Sequence, residues 1–268
     1  MKKYGLICVV LSLLLAGCDM MDYHPYDVRI SGETGLTRKN VELIEKQCAG
    51  KDTIRFAQIS DTQRWYDETE DMVRSINSRG NIDFVVHTGD QADFGLAKEY
   101  EWMRSILSRL NVPYVCVIGN HDCIGSGEAS YRVMYGDDNF SLNASFLHMT
   151  FLNTNAYEYD YSDDIPNFAF LKNDLASLPD SVTTTVVAMH VGPYMYQFND
   201  NVAEYFNYRT MMYPNLLFCI CGHDHRLKQY RPFGDEGPLY FECGAAEKKT
   251  YIIYTITKDS YTYEVVQA

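Results

Sequence analysis

The feature that most constrains this chain is a repeated join, in which an apolar run of strand length ends in a small residue followed at once by Asp, Asn or His. Thr53 to Ser60 runs into Asp61-Thr62-Gln63, Asp83 to Thr88 into Gly89-Asp90-Gln91-Ala92-Asp93, and Pro113 to Ile118 into Gly119-Asn120-His121-Asp122. Between the first two runs, Met72, Val73 and Ile76 mark one face of a helix over about residues 68–79. Between the second two, Leu96, Tyr100, Met103, Leu107 and Leu110 recur at helical spacing. Asp61 and Asp90 stand 29 residues apart, and Asp90 and Asn120 stand 30 apart. A β-α-β crossover takes about that length, so each step returns the chain to the same edge of a parallel sheet.

Two further joins follow. Thr184 to His190 ends in the histidine itself, and Leu216 to Cys221 runs into Gly222-His223-Asp224-His225. More strands are predicted at 146–152, 239–243, 251–257 and 261–266. The last three are separated by short turns and are expected to be antiparallel neighbours. The pattern predicts an α/β fold with two sheets packed together and helices outside. No linker or repeat interrupts the chain after residue 50, so residues 51–268 read as one domain. Residues 18–50 read as a polar tether and a short helix over 39–48. Ligands of α/β sheets gather outside the carboxyl ends of the strands. Five strand ends therefore deliver Asp61, Gln63, Asp90, Asn120, His190, His223 and His225 to one rim. Glycines 89, 119 and 222 are expected to turn the backbone so that the following side chain faces the site.

In this order the motifs resemble those of the calcineurin-like metallophosphoesterases over about residues 53–230. Asp61-Thr62-Gln63 stands where the family has Asp-x-His, with Gln in place of His. The others are Gly89-Asp90-Gln91-Ala92-Asp93, Gly119-Asn120-His121-Asp122, the lone His190, and Gly222-His223-Asp224-His225. The resemblance implies a four-layer sandwich, two mixed β-sheets packed face to face and flanked by helices. It also implies a dinuclear metal-dependent phosphoesterase cleaving phosphate mono- or diesters by attack of a metal-bridging hydroxide. Asp61, Gln63, Asp90 and His225 would hold one ion, and Asp90, Asn120, His190 and His223 the other, with Asp90 giving an oxygen to each. His121 would assist the leaving group, and Asp93 would orient and charge its imidazole. Mixed oxygen and imidazole ligands suit two divalent ions of the Mn, Fe or Zn type. The Gln63 carbonyl, harder than imidazole, leans towards Mn(II). The purple-acid branch needs a tyrosine where this chain has Asp93, which argues against that branch. The competing class is an inactive envelope lipoprotein that keeps the fold for binding.

Composition narrows the partners. The net charge is −13 and no Lys/Arg-rich run occurs, so nucleic acid is not expected; the small phosphorylated substrate is what the resemblance implies. Lys2 and Lys3 precede an apolar stretch, Leu6 to Leu15, too short to span a bilayer, and Leu15-Ala16-Gly17-Cys18 follows. This is the pattern of a bacterial lipoprotein signal over residues 1–17. Cys18 would carry the lipid and tether the protein to a membrane of the cell envelope, on its periplasmic or outer face. Six other cysteines lie beyond it, and no pairing follows from their spacing. His87 and His148 sit inside strands and His24 in the tether, where packing or surface roles suffice. Trp65, Tyr66, Tyr194 and Tyr196 follow ligand loops and read first as packing, secondly as rings that could stack on a substrate. Arg64 could reach a phosphate.

Overall fold

The computed structural model describes residue 24 and residues 26–268. The signal segment and Cys18 lie outside the described residues. In chain order the first half contains α1 (Leu36–Cys48), β1 (Thr53–Ile59), α2 (Tyr66–Arg79), β2 (Phe84–His87), α3 (Ala97–Leu107), β3 (Tyr114–Cys116), α4 (Gly127–Met134), β4 (Phe140–Ala144) and β5 (Leu147–Leu152). The second half contains α5 (Phe168–Ala176), β6 (Thr184–Met189), α6 (Ala203–Thr210), β7 (Leu216–Cys221), β8 (Lys228–Tyr230), β9 (Leu239–Glu242), β10 (Thr250–Thr257) and β11 (Tyr261–Gln267).

These strands form two mixed sheets, ordered β11-β10-β1-β2-β3 and β4-β5-β6-β7-β9-β8. In the first, β1, β2 and β3 are parallel, and β10 and β11 add antiparallel partners beside β1. In the second, β5, β6, β7 and β9 are parallel, with β4 and β8 antiparallel at the two edges. The parallel strands β2 and β6 are buried at every residue, because both faces of each sheet are covered.

Alternation along the strands divides the core into layers. Phe56, Phe84, Val86 and Val115 face Met149, Phe151, Val186, Phe218 and Ile220 between the sheets. Ala57, Ile59 and Val85 point outward, under Met72, Ile76, Tyr100 and Met103 of α2 and α3. On the far side, Val187, Met189 and Cys219 meet Leu171 of α5 and Phe206 of α6. The result is a four-layer α/β sandwich. Aromatic pairs knit its centre. Phe56 stacks on Phe84 at 5.3 Å and on Tyr254 at 4.9 Å, and Phe218 stacks on Tyr254 at 4.9 Å. Each such pair contributes about 0.5–1.5 kcal/mol beyond its buried area.

Two expectations change. β9 does not pair with β10. It lies in the second sheet, parallel to β7, and residues 243–249 carry the chain across to the first sheet. Only β10 and β11 form the antiparallel pair expected of the last three strands. Helix α1, read as part of the tether, supplies Ile44 and Cys48 to the inter-sheet core. It covers the edges of both sheets. Asn40 Nδ2 donates to the Tyr114 carbonyl of β3 at 2.8 Å, and Glu45 Oε1 accepts from the Asn143 amide of β4 at 2.9 Å. All six described cysteines are free thiols, five of them buried. No helix among the described residues is long and apolar enough to cross a membrane.

Candidate metal centre

The loops after β1, β2, β3, β6 and β7 meet at one rim, and their backbones are bonded to one another. The amide of Asp61 donates to the Gly89 carbonyl at 3.0 Å, those of Thr62 and Gln63 to the Asp90 carbonyl at 3.0 and 3.1 Å, and that of Gly222 to the His190 carbonyl at 3.1 Å. Asp122 locks the second and third loops together. Its Oδ2 accepts from the amides of Asp90 and Gly119, both at 2.9 Å, and its Oδ1 from those of Gln91 at 3.1 Å and Ala92 at 2.9 Å. Burial and the nearby Asp90 carboxylate push Asp122 up to about 7, and the amides of Ala92 and Gly119 oppose them.

The backbone is strained where the candidate ligands sit. Asp61 has φ 51°, Asp90 62°, His223 88° and His225 58°, all in the left-handed region that side chains avoid. Each costs about 1–3 kcal/mol and persists only where the surroundings impose it. The glycines work otherwise than expected. Of the three, only Gly89 has positive φ, at 104°. Gly119 and Gly222 are needed for room, since a Cβ at Gly119 would collide with the Asp90 carboxylate and one at Gly222 with Ser60 Oγ and the Asp61 carboxylate.

All seven side chains converge. Ligand atoms of Asp61, Asp90 and His190 lie within 4.8 Å of one another. His190 Nε2 is 3.4 Å from Asp90 Oδ2 and 3.0 Å from Asn120 Oδ1. His223 Nδ1 is 3.0 Å from the same Asn120 oxygen. His225 Nε2 is 3.3 Å from Asp61 Oδ1, outside hydrogen-bond geometry, so that oxygen is buried without a bonded partner. Gln63 Nε2 donates to Asp90 Oδ2 at 3.3 Å, and Gln63 Oε1 is likewise buried with no partner. Asp90 Oδ1 accepts the His121 amide at 2.9 Å, which leaves Oδ2 as the Asp90 oxygen facing the cluster.

Proton placement shows what this cluster lacks. His190 Nδ1 lies 2.7 Å from the Thr88 carbonyl. A carbonyl only accepts, so Nδ1 carries the hydrogen, and Nε2 turns its lone pair towards two oxygens. Lone pair facing lone pair is repulsive unless a cation stands between them. In the bare chain a proton fills that role. Burial opposes protonation of His190, but the Asp90 and Asp61 carboxylates and the Thr88 carbonyl outweigh it and push it up to about 10. The nearby Asp61 carboxylate raises His225 in the same way. Burial and His190 push His223 down to about 4, so it stands as a neutral donor. Two unpartnered buried oxygens, a carboxylate oxygen facing imidazole lone pairs and a neutral imidazole fit divalent cations.

His121 stands beside this cluster, partly exposed. Its Nδ1 is 2.9 Å from the Asp93 carbonyl oxygen and 3.5 Å from the Asp93 carboxylate. Asp93 therefore orients the ring through its main chain, and not chiefly through its charge as expected. Its carboxylate Oδ1 instead accepts from Arg64 Nη2 at 2.6 Å. Arg64, itself at φ 70°, holds its guanidinium at the rim.

Beneath the rim, His87 is a packing residue, as its place in β2 suggests. Its Nε2 is 2.8 Å from Thr62 Oγ1 and its Nδ1 accepts the Gly89 amide at 3.2 Å. Burial pushes it down to about 4, so it is neutral. Two contributors escaped the sequence. Gln58, inside β1, donates to the Cys221 carbonyl at 2.8 Å and accepts from Tyr254 at 2.8 Å, joining the sheets under the site. Alternation along β1 marks it as inward-facing, a polar residue where an apolar one belongs. Glu158, in the loop after β5, lies near enough to His121 and Asp90 to feel their charge. No motif marks it.

Fold and site together define a four-layer α/β sandwich that carries a candidate metal centre at the rim of its strands. The calcineurin-like phosphoesterase profile matches residues 54–227, and the chain belongs to that family. A Bacillus subtilis (strain 168) protein, the uncharacterized YvnB, is 30% identical over 118 residues; the match covers 39% of this chain and 9% of YvnB, under a tenth of that relative's length. Among solved structures, the purple acid phosphatase PPD1 of yellow lupin (Lupinus luteus) superposes with a TM-score of 0.63 at 11% identity, over 82% of this chain and 52% of its own. GAP50 of Plasmodium, described as the anchor in the inner membrane complex, gives 0.61 at 13% identity, over 81% and 85%. At these identities the likeness is one of fold.

Proposed function

We propose that this chain hydrolyses phosphate mono- or diesters at a two-metal centre. Asp61, Gln63, Asp90 and His225 would hold one cation, and Asp90, Asn120, His190 and His223 the other. Asp90 would serve both, with Oδ2 turned to the cluster because Oδ1 accepts the His121 amide. The observation that carries this reading is the arrangement around Asn120 Oδ1, which lies 3.0 Å from His190 Nε2 and 3.0 Å from His223 Nδ1. With the His190 Nδ1 hydrogen fixed on the Thr88 carbonyl, His190 Nε2 and Asn120 Oδ1 can meet only through a cation, a proton in the bare chain and a metal ion in this reading.

When bound, two divalent ions supply a water of lowered pKa and a clamp for the phosphoryl oxygens. The chain supplies the rest. The Asp93 carbonyl holds the Nδ1 hydrogen of His121, so Nε2 is the nitrogen left to give a proton to the leaving oxygen. Such a positioned acid contributes about 10²- to 10⁴-fold. Arg64 keeps the Asp93 carboxylate occupied, so its charge stays beside the imidazole without displacing the carbonyl. The test is a metal-supplemented screen of aryl and alkyl mono- and diesters, nucleotides and sugar phosphates. Turnover that a chelator removes and Mn(II), Fe(II) or Zn(II) restores supports the proposal. A metal-loaded chain that turns over none of them contradicts it and favours the binding lipoprotein.

The second part of the proposal concerns location. The residues before Cys18 support processing to a lipid-bearing cysteine and anchorage at the bacterial envelope. Cys18→Ser is expected to leave the exported protein soluble; a variant that stays with the membrane fraction contradicts the anchor.

A further inference from the structure

Beside the candidate centre, two loops present aromatic rings to solvent. Tyr157 is 45% exposed, Tyr161 48% and Tyr196 70%, yet the Tyr157 ring touches both of the others. Tyr157 lies 5.5 Å from Tyr196 and 6.0 Å from Tyr161. Rings so open are not core residues. The loops that carry them are bonded together, the Tyr157 amide donating to the Gln197 carbonyl at 3.2 Å and Gln197 Nε2 to Glu158 Oε1 at 3.0 Å. Four of their residues hold left-handed backbone: Asp160 at φ 50°, Tyr161 at 56°, Tyr194 at 63° and Gln197 at 84°. Strain held by hydrogen bonds under exposed rings marks a preorganised surface.

The placement of this surface decides its occupant. The first loop follows β5 and is tied to the site through Asn155 Nδ2, which donates to the Ile118 carbonyl at 3.0 Å, two residues before Asn120. The second follows β6 and His190. Glu158 follows Tyr157 and accepts from Gln197 Nε2 at 3.0 Å, and the hydroxyl of its neighbour Tyr159 lies 3.7 Å from Cys123 Sγ, two residues after His121, so this loop packs against the His121 segment. His121 is the group assigned to the leaving oxygen, so the rings lie on the leaving-group side. A carboxylate there repels a second phosphate and accepts a hydroxyl or amino hydrogen.

We infer that Tyr157, Tyr161 and Tyr196 form a stacking platform for the flat ring of a nucleoside leaving group whose hydroxyls meet Glu158. This rests on the phosphoesterase reading and names its substrate class. Water and the ester give the free nucleoside and phosphate, the leaving oxygen taking its proton from His121.

Adenosine itself is the first probe, since it carries the ring and no phosphate. Titrated into the full chain and followed by tyrosine fluorescence, it is expected to bind, and Tyr157→Leu or Tyr196→Leu to weaken it about tenfold. No binding to the unaltered chain at millimolar adenosine overturns the inference. The second probe is a pair of esters, adenosine 5′-phosphate and glycerol 3-phosphate, each also as its methyl diester. The same variants are expected to raise KM about tenfold for the adenosine ester turned over, with kcat unchanged and the glycerol ester unaffected. An equal loss on both overturns the platform. Adenosine binding that depends on the tyrosines, with no metal-dependent hydrolysis of these four esters or of any in the wider screen, supports the platform and refutes the phosphoesterase reading.

Discussion

Two buried clusters in this molecule join histidine to carboxylate, and they differ in what completes them. On the outer face of the second sheet, His148 of β5 lies between Asn143 Oδ1 and Asp174 Oδ2, both at 2.9 Å. Asp174 also accepts from Tyr213 at 2.7 Å and from Ser141 at 2.6 Å. The chain closes this network from within, between β4, β5 and α5, on unstrained backbone. At the rim, Asp61 Oδ1 and Gln63 Oε1 find no partner, His190 faces acceptors, and Asp61, Asp90, His223 and His225 sit at positive φ. One cluster is finished by protein and holds the fold. The other is left with buried acceptors that make no hydrogen bond, on strained backbone, the arrangement the proposed cations would complete.

That contrast can be broken by substitution, starting with the largest effect. Asp90→Asn is expected to lower kcat/KM by about four decades, since it removes the one ligand shared by both proposed ions. The apo chain should change little in Tm, because the carboxylate's pairing with protonated His190 is offset by its repulsion of the buried Asp122 carboxylate. A large fall in Tm would make the rim structural. Asp174→Ala should do the reverse, costing about 3–5 kcal/mol by leaving His148 buried without its carboxylate, while the folded fraction keeps its kcat. Denaturant unfolding checks it.

The same carboxyl has a pH signature. Burial raises Asp174, but the His148, Ser141 and Tyr213 donors outweigh burial and hold it below the ordinary carboxylate range. A depressed folded value means the stability is fully present above about pH 4 and lost as pH falls through the folded pKa. Acid unfolding of the metal-free chain should therefore shift less with pH in Asp174→Asn. Next in size, His121→Ala is expected to lose about 10²-fold or more of kcat on alkyl leaving groups while retaining its metal. Unchanged turnover would remove His121 from the reaction. The smallest effect falls on Gln63→Ala, which should weaken one metal site about 10- to 100-fold and spare the other; two equally tight sites would remove Gln63 from the ligands.

The sequence shows the rim more plainly than the frame. Parallel strands covered on both faces read as unbroken apolar runs, and the polar residues after them stand out because the runs stop there. For that reason Asp61, Asp90, Asn120, His190 and the His223–His225 pair were legible. The edge strands were not. β4 and β8 are short and half-polar, and helices α4, α5 and α6 run for only eight or nine residues, too few for a clear period. β9 misled because a short connection suggests a hairpin. Here residues 243–249 change sheets, pinned where the Ala246 amide donates to the Asp61 carbonyl at 3.2 Å. At Asp93 it is the carbonyl that lies nearest His121 Nδ1, and a motif names side chains and says nothing of a carbonyl. Glu158 and the exposed tyrosines lie in loops whose shape is set by contacts far apart in sequence.

The central claim is that seven side chains on five strand ends are arranged for a pair of cations. Metal content after loading the purified chain with Mn(II) and removing free ion tests it directly. The account predicts about two ions per chain, both lost in Asp90→Asn. No retained metal, or two ions that survive that substitution, would contradict it.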